Sequence, residues 1–154
     1  MDPAHAAQQF VIPGRLVAIS SYGSGNVNDT YLAIFRTTFS EERVVVQKIN
    51  TGVFSHPEWI MENMRVVTEH VHRKLEKEQD EADRIWQMPR VIPAKDGRDF
   101  HVDGEGGYWR VITLMASAKA YERTTNAEHA FEVGTVLGQF HRLIADLDPS
   151  LLRD

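Results

Sequence analysis

The chain has 154 residues, enough for one modest domain with a real core, while two domains would be cramped. A formal charge of -5, with 17 Lys and Arg scattered along the chain, leaves no basic stripe to displace the counterions of a nucleic acid. With no cysteine there are no disulfides, thiolate metal sites or thiol nucleophiles, as expected in a reducing compartment. No run is long and apolar enough to span a bilayer, and the first ten residues lack the cationic start and apolar core of a signal peptide. The chain is therefore expected to be cytoplasmic, with neither nucleic acid nor membrane as a partner.

In chain order, Asp2 to Phe10 reads as a short helix with Asp2 as N-cap and Pro3 at the first helical position, broken by Pro13-Gly14. Arg15-Leu16-Val17-Ala18-Ile19 and Thr30-Tyr31-Leu32-Ala33-Ile34-Phe35 read as strands, so the Gly-rich stretch between them joins strand to strand. A dinucleotide fingerprint or a Walker loop would have to open a helix, and the latter also needs Gly-Lys-Ser/Thr. An oxidoreductase using these glycines for a dinucleotide therefore fares worst. A kinase-type G-x-G-x-x-G sits on a hairpin instead, and Gly23, Gly25 and Asn28 occupy its three positions. Two glycines let backbone amides approach a polyphosphate, and Asn28 tolerates left-handed backbone. A plain exposed hairpin turn has the same pattern.

Arg43 to Asn50 reads as a third strand, whose alternation puts Val44, Val46 and Lys48 on one face. A small apolar residue followed two positions later by a lysine suits a nucleotide base and its phosphates; a solvated lysine on an edge strand fits equally well. Ser55-His56-Pro57-Glu58 starts a helix as a capping box, with Ile60, Met64, Val67, Val71 and Leu75 as the expected packed stripe. Glu62 and Glu69 are both available to pair with Lys48, and spacing selects neither. Arg73 to Arg84 mixes both charge signs, as in exposed last turns and a loop. Asp96-Gly97 signals a hairpin whose second strand is Arg98 to Val102, and Trp109 to Met115 is a fifth strand. His101-Val102-Asp103 imitates a catalytic His-x-Asp, but it lies within a hairpin and before a turn, whereas a catalytic loop follows a long helix. Ala116-Ser117-Ala118 reads as a hinge. Thr125-Asn126-Ala127-Glu128 caps a last helix with Phe131, Gly134, Leu137, Phe140 or His141, and Ile144 on its apolar side, ended by Asp148-Pro149. His141 is expected to be a packed histidine rather than a metal ligand.

This order resembles the small lobe of the eukaryotic-kinase-like fold: α+β, a five-stranded antiparallel sheet with one packed helix, then a hinge and a C-terminal helix. The stretches Phe10-Val11-Ile12-Pro13-Gly14, Tyr22 to Tyr31, Val46-Gln47-Lys48-Ile49-Asn50 with Val53-Phe54, Met61-Glu62-Asn63, Val67 to Val71 and Tyr108-Trp109-Arg110 look like N-acetylhexosamine 1-kinases. These belong to the aminoglycoside phosphotransferase and choline kinase superfamily. The resemblance covers nearly the whole chain, with Asn26 as one departure where relatives often have histidine.

The resemblance implies ATP- and magnesium-dependent phosphorylation of a sugar, at the anomeric hydroxyl of an N-acetylhexosamine. It implies that Gly23, Ser24, Gly25 and Asn28 lie over the phosphates, that Lys48 holds them and that Glu62 orients Lys48. Val46 would line the base pocket, and Leu114, Met115 and Ala116 would offer the base backbone hydrogen bonds. Residues 1–115 would form the nucleotide-binding lobe, and residues 116–154 the hinge and first helix of a second lobe. The carboxylate that orients the acceptor and the magnesium ligands have no credible copy before Asp154, so catalytic residues are expected in a missing lobe, and the chain by itself should not catalyse. A noncatalytic nucleotide-binding or regulatory module with the same fold is the alternative.

Overall fold

A computed structural model describes residues 1–23, 25, 27–78, 86–115, 121 and 123–154. Ser24 and Ala116, both assigned above to nucleotide contacts, lie outside the described residues, as do Asn26, the rest of the expected hinge at Ser117-Ala118, and residues 79–84 of the mixed-charge run.

Three β-branched and aromatic-rich runs form the long strands β1 (Arg15–Ser21), β2 (Asp29–Arg36) and β3 (Glu41–Ile49). They continue into the short β4 (Val91–Ile92) and β5 (His101–Val102) and into β6 (Tyr108–Thr113). All pair antiparallel in one six-stranded sheet of order β1-β2-β3-β6-β4, with β5 also on β6. The strand count thus exceeds the expected five. The expected hairpin around Asp96-Gly97 is only a local turn, because β4 and β5 both pair with β6 and not with each other. The true hairpin is β5–β6, closed by Asp103: its amide donates to the Gly107 carbonyl at 2.9 Å.

Helix α1 (Pro3–Ala7) starts at Asp2 as expected, though Asp2 makes no side-chain cap. Helix α2 (Pro57–Glu78) follows the Ser55–Glu58 signal. Helix α3 (Ala127–Ile144) is capped by Asn126, whose Oδ1 accepts from the His129 amide at 2.8 Å; Thr125 bonds the His129 ring instead of capping. Asp148 caps a separate 3-10 turn, Pro149–Leu151, through the Ser150 amide.

The sheet has two unlike faces. Because side chains alternate, Tyr31, Ala33 and Phe35 share a face with Val44, Val46, Trp109 and Val111, and Ala6 and Ala7 of α1 cover it together with Phe10 just beyond the helix. Burying a side chain such as Phe10 contributes about 2 kcal/mol. Against the other face, α2 covers Ile49, Tyr108, Ile112 and Val91 with Met61 and Met64. The buried residues of α2 are Pro57, Met61, Thr68, Val71 and Leu75, so Val71 and Leu75 pack as expected and Met64 packs half-buried, while Met61 and Thr68 join the stripe and Ile60 and Val67 are only half-buried. Helix α3 docks on α2 through its last turns, Leu143 meeting Val71 and Leu75. Its expected apolar side is largely exposed at Phe131 and Leu137.

Candidate functional site

The Gly-rich turn and Lys48 come to the same end of the sheet. Asp29, the first residue of β2 after the turn, lies opposite Lys48 in the β2–β3 register. Asn28 closes the turn onto β3: its Oδ1 accepts from the Asn50 amide at 3.0 Å. Gly23 has a positive φ of 77°, a conformation costly for other residues, and a side chain at Gly23 or Gly25 would meet nothing within 4 Å. Space is therefore open beside Gly23 and Gly25 on the side a Cβ would take. Leu114 and Met115 leave β6 at the opposite end, next to Thr113, which pairs with Val44.

The two faces divide the remaining candidates. Val46 is fully buried in the cluster formed with α1, so a ligand base cannot reach it. Lys48 shares that face. Its Nζ lies 5.7 Å from the centre of the Trp109 ring, and among the described residues it makes no ion pair. Glu62 is not brought to Lys48, because α2 sits across the sheet and Glu62 Oε2 accepts from Arg153 Nε at 2.7 Å. Glu69 does not fill the role either; it faces Arg90 at 3.5 Å. Asp103 is structural: Oδ2 accepts from Trp109 Nε1 at 2.8 Å, and Oδ1 accepts from the amides of Gly107 and Glu105 at 2.8 and 2.9 Å. These bonds, the one from Trp109 first, hold its carboxyl well below the usual carboxylate range.

Beyond the residues that α2 covers, its face of the sheet stays partly open. Over β1, β2 and β3, Ala18 and Ser20 are exposed, and Thr30, Leu32, Ile34 and Gln47 are only half-buried. A polar row crosses this face. Arg110 Nε donates to Gln47 Oε1 at 2.9 Å, Gln47 Nε2 donates to Thr30 Oγ1 at 3.0 Å, and Thr30 Oγ1 donates to the Asn28 carbonyl at 3.3 Å. The first two steps link partners in strand register, Arg110 with Gln47 and Gln47 with Thr30, and the last is a local bond two residues back, so the row runs from β6 through β3 and β2 to Asn28. Gln47 lies three residues from Val44, so the row stands about 10 Å along the strand from the Leu114 end.

Arg110 ends the row in a cavity of about 390 Å³ between α2 and the sheet, lined also by Asn63, Met64, Val67 and Thr68. Burial pulls its guanidinium pKa down from the ordinary arginine value. Gln47 and Arg110 stand in stretches that carry the resemblance, but, like Thr30, each reads in the sequence as an ordinary strand residue with no site role. The available signal was a charge inside the apolar run Trp109-Arg110-Val111-Ile112. Among the described residues, no group of three His, Asp or Glu stands close enough to hold a metal, and no helix is long and apolar enough to cross a membrane. No protein-family model matches the chain.

Proposed function

We propose that this chain is the nucleotide-binding share of a phosphotransferase with a kinase-like small lobe, delivering the γ-phosphoryl group of ATP to a sugar hydroxyl. The acceptor class that the residue pattern favours is an N-acetylhexosamine, at its anomeric hydroxyl. The observation that carries the proposal is the row from Arg110 through Gln47 and Thr30 to Asn28, which joins a partly open sheet face to the end of the Gly-rich turn. A base beside Leu32 and the Leu114–Met115 end would leave its phosphates over this row and under the turn amides, where dipoles and a cation offset their charge. ATP fits the chemistry of these donors. Magnesium would arrive with the nucleotide phosphates and take its protein ligands from a second lobe.

Calorimetric titration of the chain with ATP, ADP and NADH tests the nucleotide half. Saturable binding of ATP with displacement by ADP is expected, and absence of ATP binding, or preference for NADH, overturns the proposal. The acceptor half is tested by incubating the longest protein that carries this sequence with labelled ATP and a panel of hexoses. Label should appear in an alkali-stable, acid-labile N-acetylhexosamine phosphate; label in none of the sugars removes the sugar-kinase assignment.

A further inference from the structure

We propose that Arg110, rather than Lys48, is the cation that receives the polyphosphate, an assignment that rests on the nucleotide site proposed above. Three observations carry it. First, Arg110 lies on the α2-side face of the sheet, at the edge of the part that Met61 and Met64 cover and beside the half-buried Gln47 and Thr30, whereas Lys48 lies on the opposite face, the one that carries the α1 cluster, over Trp109. Second, the guanidinium is held but not neutralised. Its Nε is used by Gln47, while Nη1 meets only the sulfurs of Met64 and Met61, at 3.6 and 3.9 Å, and among the described residues no carboxylate pairs with it. Thioethers are weak acceptors, so the terminal nitrogens keep most of their capacity for an oxyanion. Third, the bond chain Arg110–Gln47–Thr30–Asn28 uses each donor once and in one direction, which orients the guanidinium through Nε and links it to Asn28 at the end of the Gly-rich stretch.

The chemistry favours phosphate over a neutral ligand. A half-buried arginine without a counter-ion has lost solvation that only an anion restores, and the planar fork can give two parallel N–H···O bonds to one phosphate. No carboxylate lines the cavity to compete for the guanidinium; Asn63 and Thr68 on its wall are engaged with the Arg153 backbone and the Arg65 carbonyl. In Lys48 the ammonium already rests over an indole, with its Cε and the Asp103 carboxylate both close to Gly107.

The test titrates ATP and adenosine into the wild-type chain and into Arg110→Lys, Arg110→Gln and Lys48→Met. Arg110→Gln is expected to weaken ATP about 10- to 100-fold while leaving adenosine unchanged, and Arg110→Lys is expected to lose less because the charge remains. The ¹⁵Nε resonance of Arg110 in the wild-type chain, followed during addition of inorganic tripolyphosphate, gives a readout even where a variant fails to fold; a saturable shift is expected. An unmoved resonance, or a loss for ATP on Lys48→Met with none on Arg110→Gln, overturns the assignment of Arg110 and leaves the nucleotide site standing. A wild-type chain that binds no ATP is seen before any variant is made, and it removes both proposals.

Discussion

Asn28 Oδ1 accepts a hydrogen bond from the Asn50 backbone amide at 3.0 Å, so the residue that ends the Gly-rich turn is fastened to the residue that follows β3. Asn28→Ala removes the acceptor and leaves the Asn50 amide to water. A loss of about 1 kcal/mol of stability is expected, with faster amide exchange at Asn50 and in the turn. Unchanged exchange at Asn50 would show that the bond does not hold the turn.

Gly14 and Gly23 both have positive φ but differ in surroundings. A methyl group on Gly14 would stand 2.5 Å from the carbonyl carbon and oxygen of Arg36 and 2.9 Å from the Thr37 amide, whereas one on Gly23 would meet nothing within 4 Å. Gly14→Ala is expected to cost more than about 3 kcal/mol, through backbone displacement added to the left-handed strain. Gly23→Ala should cost only the strain, about 1 kcal/mol. Urea unfolding of the two variants compares them directly, and equal costs would contradict the close approach of Gly14 to β2.

Asp103 gives a pH-dependent share of stability. Its folded pKa lies below the unfolded value, so that share is complete above about pH 4 and is lost as acid protonates the folded carboxylate. In Asp103→Asn, one side of the amide must face N–H donors, because Trp109 Nε1 occupies Oδ2 and two backbone amides occupy Oδ1. A cost of about 2 kcal/mol near neutral pH is expected, shrinking as the pH falls toward 2. Parallel thermal midpoints for the two proteins across that range would rule out the carboxylate as the source.

Much of the architecture was legible from period-2 runs and turn residues. The strand–turn–strand setting of Gly23 and Gly25, the β3 alternation and the start of α2 all follow from short-range chemistry. The inward direction of that alternation does not. Val44, Val45 and Val46 are all apolar, so the pattern cannot say which face α1 seals and which α2 leaves partly open. That depends on Ala6, Ala7 and Phe10 reaching β-strands distant in the chain, a tertiary fact. Nothing local to β3 therefore tells that Gln47 and Arg110 share the α2 side while Lys48 lies over Trp109, or that Glu62 is across the sheet from Lys48 and pairs with Arg153. Helix α3 shows the same limit: its apolar side was readable, but not that only Leu143 and its neighbours would find a surface.

Leu143 anchors α3 to α2 and is only 3% exposed, while Val133, Val136 and Leu137 nearer the helix start are at least half exposed. Leu143→Ala should therefore release α3 at a local cost of about 3 kcal/mol and leave the sheet intact. Hydrogen exchange is expected to rise throughout Ala127–Ile144 with little change in β2 and β3. A rise of equal size in the sheet would mean that the helix and the sheet unfold as one unit.

The strands β2 and β3 pair without interruption from Asp29–Lys48 to Arg36–Glu41, and the short connection between them is closed by the Thr37 amide on the Ser40 carbonyl at 2.9 Å. Neighbouring side chains in β3 point to opposite sides, so Gln47 and Lys48 differ in fate by a single step of the chain. Removing one residue from that connection and sliding β3 by one place would invert its parity, sending an ammonium beneath α2 and an amide beneath α1. Which of the two side chains lies over the indole and which joins Arg110 is thus written in the length of a four-residue bend far from either.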